Sequence, residues 1–158
     1  GNEFGHPEWI DFPREGNGWS FHYCRRQWSL ADNPELKYGY LRQFDKDMVL
    51  LSKSYKVVGG HDQQLLVNNE DNVIAYRKGR ALFFFNFDPA RSYDGYFVPV
   101  PEAGEYQVLM SSDDYCYGGD GRVWHMTYKT EELDGKVGIR LYLPHRTAIV
   151  LKKKPAKK

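Results

Sequence analysis

The chain has 158 residues, enough for one domain of ordinary size with a real core, and its 41% hydrophobic and 27% charged content are globular values. Its 22 basic and 21 acidic residues nearly cancel, and five of the lysines crowd the last seven positions, Lys152 to Lys158. That basic tail has no basic body behind it, which argues against a specific nucleic-acid binder and reads as a solvated terminus.

Aromatic residues make up 16% of the chain, a share that favours strands or a surface for stacking sugars or bases. Cys24 and Cys116 are far apart and lack CxxC spacing, so neither a zinc site nor a redox dithiol is readable. No signal-peptide pattern opens the chain and no apolar run reaches 18 residues. The expectation is a reduced, soluble, cytoplasmic protein with no membrane partner.

The opening run, Gly1-Asn2-Glu3-Phe4-Gly5-His6-Pro7-Glu8-Trp9, sets polar side chains on a turn punctuated by glycine and proline, as loops at working sites do. Residues 1–33 read as irregular, with a turn at Gly16-Asn17-Gly18 and many large apolar side chains, among them Phe12, Trp19, Phe21, Tyr23 and Trp28. These need a partner surface. A helix is predicted over about 34–54, with Asp32 or Asn33 as N-cap and Pro34 at its first position. Leu36, Tyr40, Leu41, Phe44, Met48 and Leu51 form its apolar stripe, and Gly59-Gly60 ends the connection.

From Gln64 the hydrophobic period changes from 3.6 to 2. Strands are predicted at 73–77, 81–87, 96–100, 105–111, 123–128, 137–143 and 147–151. The second of these is apolar on both faces and so central, Pro99 and Pro101 mark an edge or a strand end, and Pro144-His145 joins the last two strands. The fold class is mainly β: an antiparallel β-sandwich preceded by an irregular arm and one amphipathic helix.

The run GNEFGHPEWIDFPREGN, then SFHYCRRQWSLAD, the helix containing LRQFDKDM, and the segments FFFNFDPARSY, SSDDYCYGGDGR and LYLPHRTAIVL together resemble the 1,4-α-glucan (glycogen or starch) branching enzymes of the α-amylase superfamily. The resemblance spans nearly the whole chain. It implies that residues 1–60 are the terminal segment of a (β/α)8 barrel, the loop after strand 8 plus the helix at about 34–54. It further implies that 61–152 are the C-terminal all-β domain and 153–158 a basic tail. The chain would then be the C-terminal piece of a much longer enzyme, its helix left over from a barrel that is missing here.

The reaction implied is retaining transglycosylation, which needs two carboxylates about 5 Å apart across the glycosidic bond. In the family those carboxylates project from earlier barrel strands, and none of their motifs occurs here, so no catalytic residue is assigned. Glu3 and Glu8 sit on an irregular loop with nothing around them to build a pocket, and are not assigned as a catalytic pair. The resemblance instead assigns Glu3, His6 and Glu8 to hydrogen bonds with barrel loops and sets Asn2 near the sugar. Trp9, Trp19 and Trp28 are read either as sugar platforms or as packing residues; Trp9 and Trp19 join the substrate-binding set. His6-Pro7-Glu8 has the H-x-E form found in zinc deaminases, but the P-C-x-x-C partner is missing, so neither metal nor cofactor is expected. Tyr115, Tyr117, Trp124 and His125 flank the loop 111–122, which is read as a secondary glucan site or an ordinary sandwich loop.

Three readings follow. The first is a branching-enzyme fragment, inactive alone, whose partners are the missing barrel and, through the parent enzyme, α-glucan. The second is a stand-alone glucan-binding module, and the third a structural or association domain. An arm and helix deprived of the barrel would favour self-association.

Overall fold

The computed structural model describes residues 3–6 and 10–155. Its elements are α1 (Trp28–Asp32), α2 (Tyr38–Tyr55), β1 (Asp62–Asn68), β2 (Val73–Lys78), β3 (Ala81–Asn86), β4 (Tyr93–Pro99), β5 (Glu105–Ser111), β6 (Thr127–Lys129), β7 (Glu131–Leu133), β8 (Lys136–Leu143) and β9 (Thr147–Lys153). They fall into two compact units: residues 1–48 with 116–118, and residues 49–115 with 119–158.

In the second unit the strands form two antiparallel sheets, β1-β2-β3-β9-β5-β6 and β4-β8-β7. Alternation along each strand sends one set of side chains inward. Val73, Ala75, Leu82, Phe84, Val108, Ile149 and Leu151 of the larger sheet meet Val98, Ile139, Leu141 and Leu143 of the smaller one in a single buried cluster. The predicted sandwich is therefore present. β3 lies between β2 and β9, as its two apolar faces required, and Pro99 ends β4, an edge strand whose missing N–H leaves no gap in a ladder. Pro144-His145 joins β8 to β9 as an arch between sheets, because these two strands belong to different layers.

Buried polar groups knit the layers together. The Asn86 amide donates to the carbonyls of Arg91 (2.9 Å) and Leu143 (3.0 Å), tying β3 to the end of β8. The Tyr96 hydroxyl donates to Asp71 Oδ2 (2.8 Å) and accepts from Asn68 Nδ2 (3.0 Å), clipping the β1–β2 turn to β4. Burial, reinforced by that bond to Asp71, pushes the Tyr96 phenol up to about 12, so the ring stays neutral and donating.

Two predicted boundaries are corrected, and two strands, β1 and β7, were not predicted. The helix does not begin at Pro34. The Asn33 N–H closes α1 on Ser29 O (3.1 Å), its side chain accepts from Glu35 N (2.9 Å), and Asp32 is engaged by Arg42 (2.5 Å); with both capping side chains so occupied, 33–37 turn and α2 starts at Tyr38. Leu36 thus lies outside the helix, and α1 stands in a stretch read as irregular. The strand predicted over 123–128 shrinks to β6, because Met126 N–H closes a tight turn on Trp124 O (2.8 Å) before the ladder begins. β7 was not predicted at all. It pairs with β8 through Asp134-Gly135, both at left-handed φ (51° and 71°), the geometry of a two-residue hairpin.

The end of α2 is latched to the larger sheet. Val57 N–H bonds Ser52 O (3.0 Å) while Lys56 takes φ 53°, a Schellman closure made without glycine. The Arg80 N–H then donates to Tyr55 O (2.9 Å). Gly79 lies so close that a Cβ there would come within 2.2 Å of Lys56 O, and its φ is +58°. Gly79→Ala is therefore expected to cost about 2 kcal/mol or more in urea unfolding, against about 1 kcal/mol for Gly135→Ala, whose Cβ would meet open space. Equal losses would show that the close approach to the helix end is not what requires Gly79.

Candidate functional site

The N-terminal run is where the sequence concentrates its polar chemistry. Asn2, Glu8 and Trp9 lie outside the described residues. Glu3 faces the Arg26 guanidinium at 4.0 Å, a separation at which a partly exposed pair contributes little. Phe4 is the anchor: it is 1% exposed, with the Trp28 ring at 5.7 Å and the Tyr38 ring edge-on at 6.3 Å. His6 packs edge-on against Tyr38 at 5.0 Å, and its buried Nδ1 finds no hydrogen-bond partner among the described residues. A buried ring nitrogen is normally hydrogen-bonded, which singles out His6 within this cluster. The Phe4–His6–Trp28–Tyr38 cluster thus brings together one predicted site residue, His6, and one candidate platform, Trp28.

Trp19 lies elsewhere in the arm, its N–H donating to Arg14 O (3.0 Å) beside a hub made by Asn17. The Asn17 side chain accepts from Arg14 N (3.0 Å) and Ser20 N (3.3 Å), and donates to Asp11 Oδ2 (3.0 Å) and Phe12 O (3.1 Å). Bonds from Asn17 and then Arg14 hold the Asp11 carboxyl below its usual range. Around this hub Trp19 adopts φ 59°, an uncommon conformation for a bulky residue, and its indole is exposed. Phe12 and Phe21 are 67% and 73% exposed, and Tyr23 and Trp28 also lie in the open. Along α2 no residue is fully buried, and Tyr40, Leu41 and Met48 of its apolar stripe remain exposed. Among the described residues no group of three His, Cys, Asp or Glu side chains is placed to hold a metal ion. No helix of the described residues is long and apolar enough to cross a membrane.

In the second unit the loop after β5 is organised by a residue that sequence reasoning passed over. Asp113 is 5% exposed and accepts from Arg122 Nη2 (2.7 Å), Arg122 Nε (3.1 Å) and Arg122 N (2.6 Å). Burial alone would raise its pKa, but the bonds and charge of Arg122 outweigh it and the carboxyl lies below its ordinary value. Gly119 folds against this acid so closely that a Cβ would come within 2.3 Å of the Asp113 carbonyl group, so glycine is required there. Of the four side chains flagged around the loop, His125 bonds Asp114 (2.7 Å) and Trp124 projects into solvent. Tyr117, within the first unit, donates to Asp47 Oδ2 (2.9 Å); burial and that acceptor push its phenol up. Tyr115 is exposed, with its ring lying over Gly121.

A carboxyl with a depressed folded-state pKa contributes stability that is complete above its unfolded value, near 3.8 here, and is lost as pH falls through the folded value. Asp113→Asn should therefore cost about 2–3 kcal/mol at pH 7, leaving Arg122 without its charge partner, and the variant should lose less than the parent between pH 5 and pH 2. Urea midpoints across that range decide it. Parallel pH profiles for the two proteins would show that the Asp113–Arg122 pair carries none of the acid sensitivity.

Residues 66–154 match the family described as alpha amylase, C-terminal all-beta domain. Over 140 residues the chain is 44% identical to a chloroplastic/amyloplastic 1,4-alpha-glucan-branching enzyme of Oryza sativa subsp. japonica, covering 88% of this chain and 17% of that one. It is 41% identical over 156 residues to the 1,4-alpha-glucan-branching enzyme of Rhizophagus irregularis (96% and 23%) and 40% identical over 156 residues to that of Saccharomyces cerevisiae (96% and 22%). The chain thus spans about a fifth of the length of the curated relatives it matches. A solved cyclomaltodextrin glucanotransferase covers 91% of this chain and 27% of its own at TM-score 0.47 and 16% identity, too slight a likeness to add to the family match. With its two antiparallel sheets and its match over 66–154, the chain belongs to the alpha amylase C-terminal all-beta domain family.

Proposed function

We propose that this chain works as the C-terminal part of a 1,4-α-glucan branching enzyme, supporting a (β/α)8 barrel rather than performing chemistry itself. In this reading residues 1–60 complete the barrel, with α2 as its last helix, and 61–152 form the domain that braces it. One observation carries the reading: Phe12, Trp19, Phe21, Tyr23 and Trp28 stand at least half exposed, alongside an α2 with no fully buried residue. Apolar surface of that extent marks an interaction site, and identity to branching enzymes continues through it at 40–44% over 88–96% of the chain. The partner is then barrel surface, and the glucan is reached through the parent enzyme. Asn2, Glu3, His6, Glu8, Trp9 and Trp19 would border its glucan cleft, where the buried Nδ1 of His6, without a partner among the described residues, is free to accept or donate a hydrogen bond.

The chain alone is expected to leave the iodine stain of amylose unchanged. A fall in absorbance with purified protein would place the reacting carboxylates within this chain and overturn the reading. The exposed face of α2 should also make the chain self-associate with rising concentration in sedimentation velocity, and Leu41→Glu with Met48→Glu should suppress it. A monomer at all concentrations would contradict an unpartnered apolar surface.

A further inference from the structure

On the second unit, a cleft of about 450 Å³ opens where edge strand β6 of the larger sheet meets the outer face of β8. That volume lies within the range of ligand clefts, about 300–1,000 Å³. We propose that this cleft is an α-glucan-binding site, with Trp124 as its stacking platform and Tyr142 and Met126 completing its apolar wall; the identity of the sugar rests on the branching-enzyme reading above.

Trp124 is 75% exposed, yet the chain on both sides of it is fixed. Arg122 is clamped by Asp113 through its backbone and its side chain, Val123 is sunk in the core, and Met126 N–H closes a tight turn on Trp124 O. A large indole held in water by a rigid backbone has little ordering entropy left to lose when a ligand arrives. An indole face suits the apolar face of a pyranose ring.

The polar rim selects the ligand's charge. Arg122 is neutralised by Asp113 (2.7 Å) and Arg140 by Glu131 (2.6 Å), so the two guanidinium groups bordering the cleft bring hydrogen-bond donors without free positive charge. Arg140 also donates to Gly95 O (3.0 Å) at the bulge between Tyr93 and Tyr96, which turns Asp94 out of the ladder and onto the rim. An apolar wall with paired cations and one carboxylate disfavours anions and fits a neutral polyhydroxylated chain, whose vicinal hydroxyls meet planar donors and a carboxylate acceptor.

The test titrates the chain with maltoheptaose and, separately, with cellohexaose, following the indole N–H signals by NMR. Maltoheptaose should shift the Trp124 signal in a saturable way. Trp124→Ala should weaken binding at least about tenfold, Tyr142→Ala should weaken it as well, and Phe87→Ala, an exposed aromatic just past β3 and outside the cleft, should leave it unchanged. Each substitution is at an exposed side chain, and an unaltered thermal midpoint separates lost binding from lost fold. Retention of binding in Trp124→Ala, or no response to either sugar, overturns the cleft while leaving the amylose result above to judge the parent reading. Binding of cellohexaose in preference to maltoheptaose overturns the α-glucan assignment.

Discussion

Two sheets closing over one layer of aliphatic side chains is the constraint on which the rest of the second unit depends. Val73, Phe84, Ile149 and Leu151 from one sheet and Val98, Ile139, Leu141 and Leu143 from the other are almost wholly removed from water. Removing such area is worth about 25 cal/mol per Å², and it fixes strand register, since a one-residue slip would turn every inward side chain outward. Everything else is arranged to let that closure happen without stranding polar groups. Asn86 satisfies two carbonyls where the sheets part, Tyr96 and Asn68 clip a turn to the facing sheet, and the β8–β9 arch carries the chain between layers.

The first unit is built on a different balance. Its buried apolar side chains among the described residues are Phe4 and Ala31, while Phe12, Trp19, Phe21, Tyr23 and Trp28 are at least half exposed. Local hydrogen bonds shape it instead: Asn17 organises 11–20, and Asn33 divides α1 from α2. Such bonds define conformation but contribute only about 1 kcal/mol each, so they do not substitute for a core. This contrast between a closed sandwich and an arm rich in exposed rings is what the branching-enzyme reading accounts for.

Much of the sandwich was legible because period-2 alternation reports burial directly: in β5 and β8, Tyr106, Val108, Ile139, Leu141 and Leu143 lie inward while Gln107, Arg140 and Tyr142 face out. The misses have local causes. Asp32 and Asn33 look like caps, and only the fold reveals that their side chains are taken by Arg42 and by the Glu35 amide. Val123 and Trp124 do alternate inward and outward, but the neighbouring Arg122 N–H goes to the Asp113 carboxylate instead of a ladder. β7 was readable from Asp134-Gly135, a two-residue hairpin signal flanked by too little apolar sequence to draw notice. Of the site, the polar opening run and the aromatic-flanked loop 111–122 stood out from composition. The Asp113–Arg122 clamp did not, because the two groups lie nine positions apart in the chain and their meeting depends on Gly119 folding back.

The central claim is that the sandwich is held by its own core while the arm and the first turns of α2 depend on surface supplied from elsewhere. Native-state amide hydrogen exchange on this chain tests it most directly. Amides of β3, β8 and β9 should exchange only through global unfolding, and those of 28–48 at least about a hundredfold faster, through local opening. Equal protection in both units would contradict the account, because it would mean that the first unit carries a core of its own.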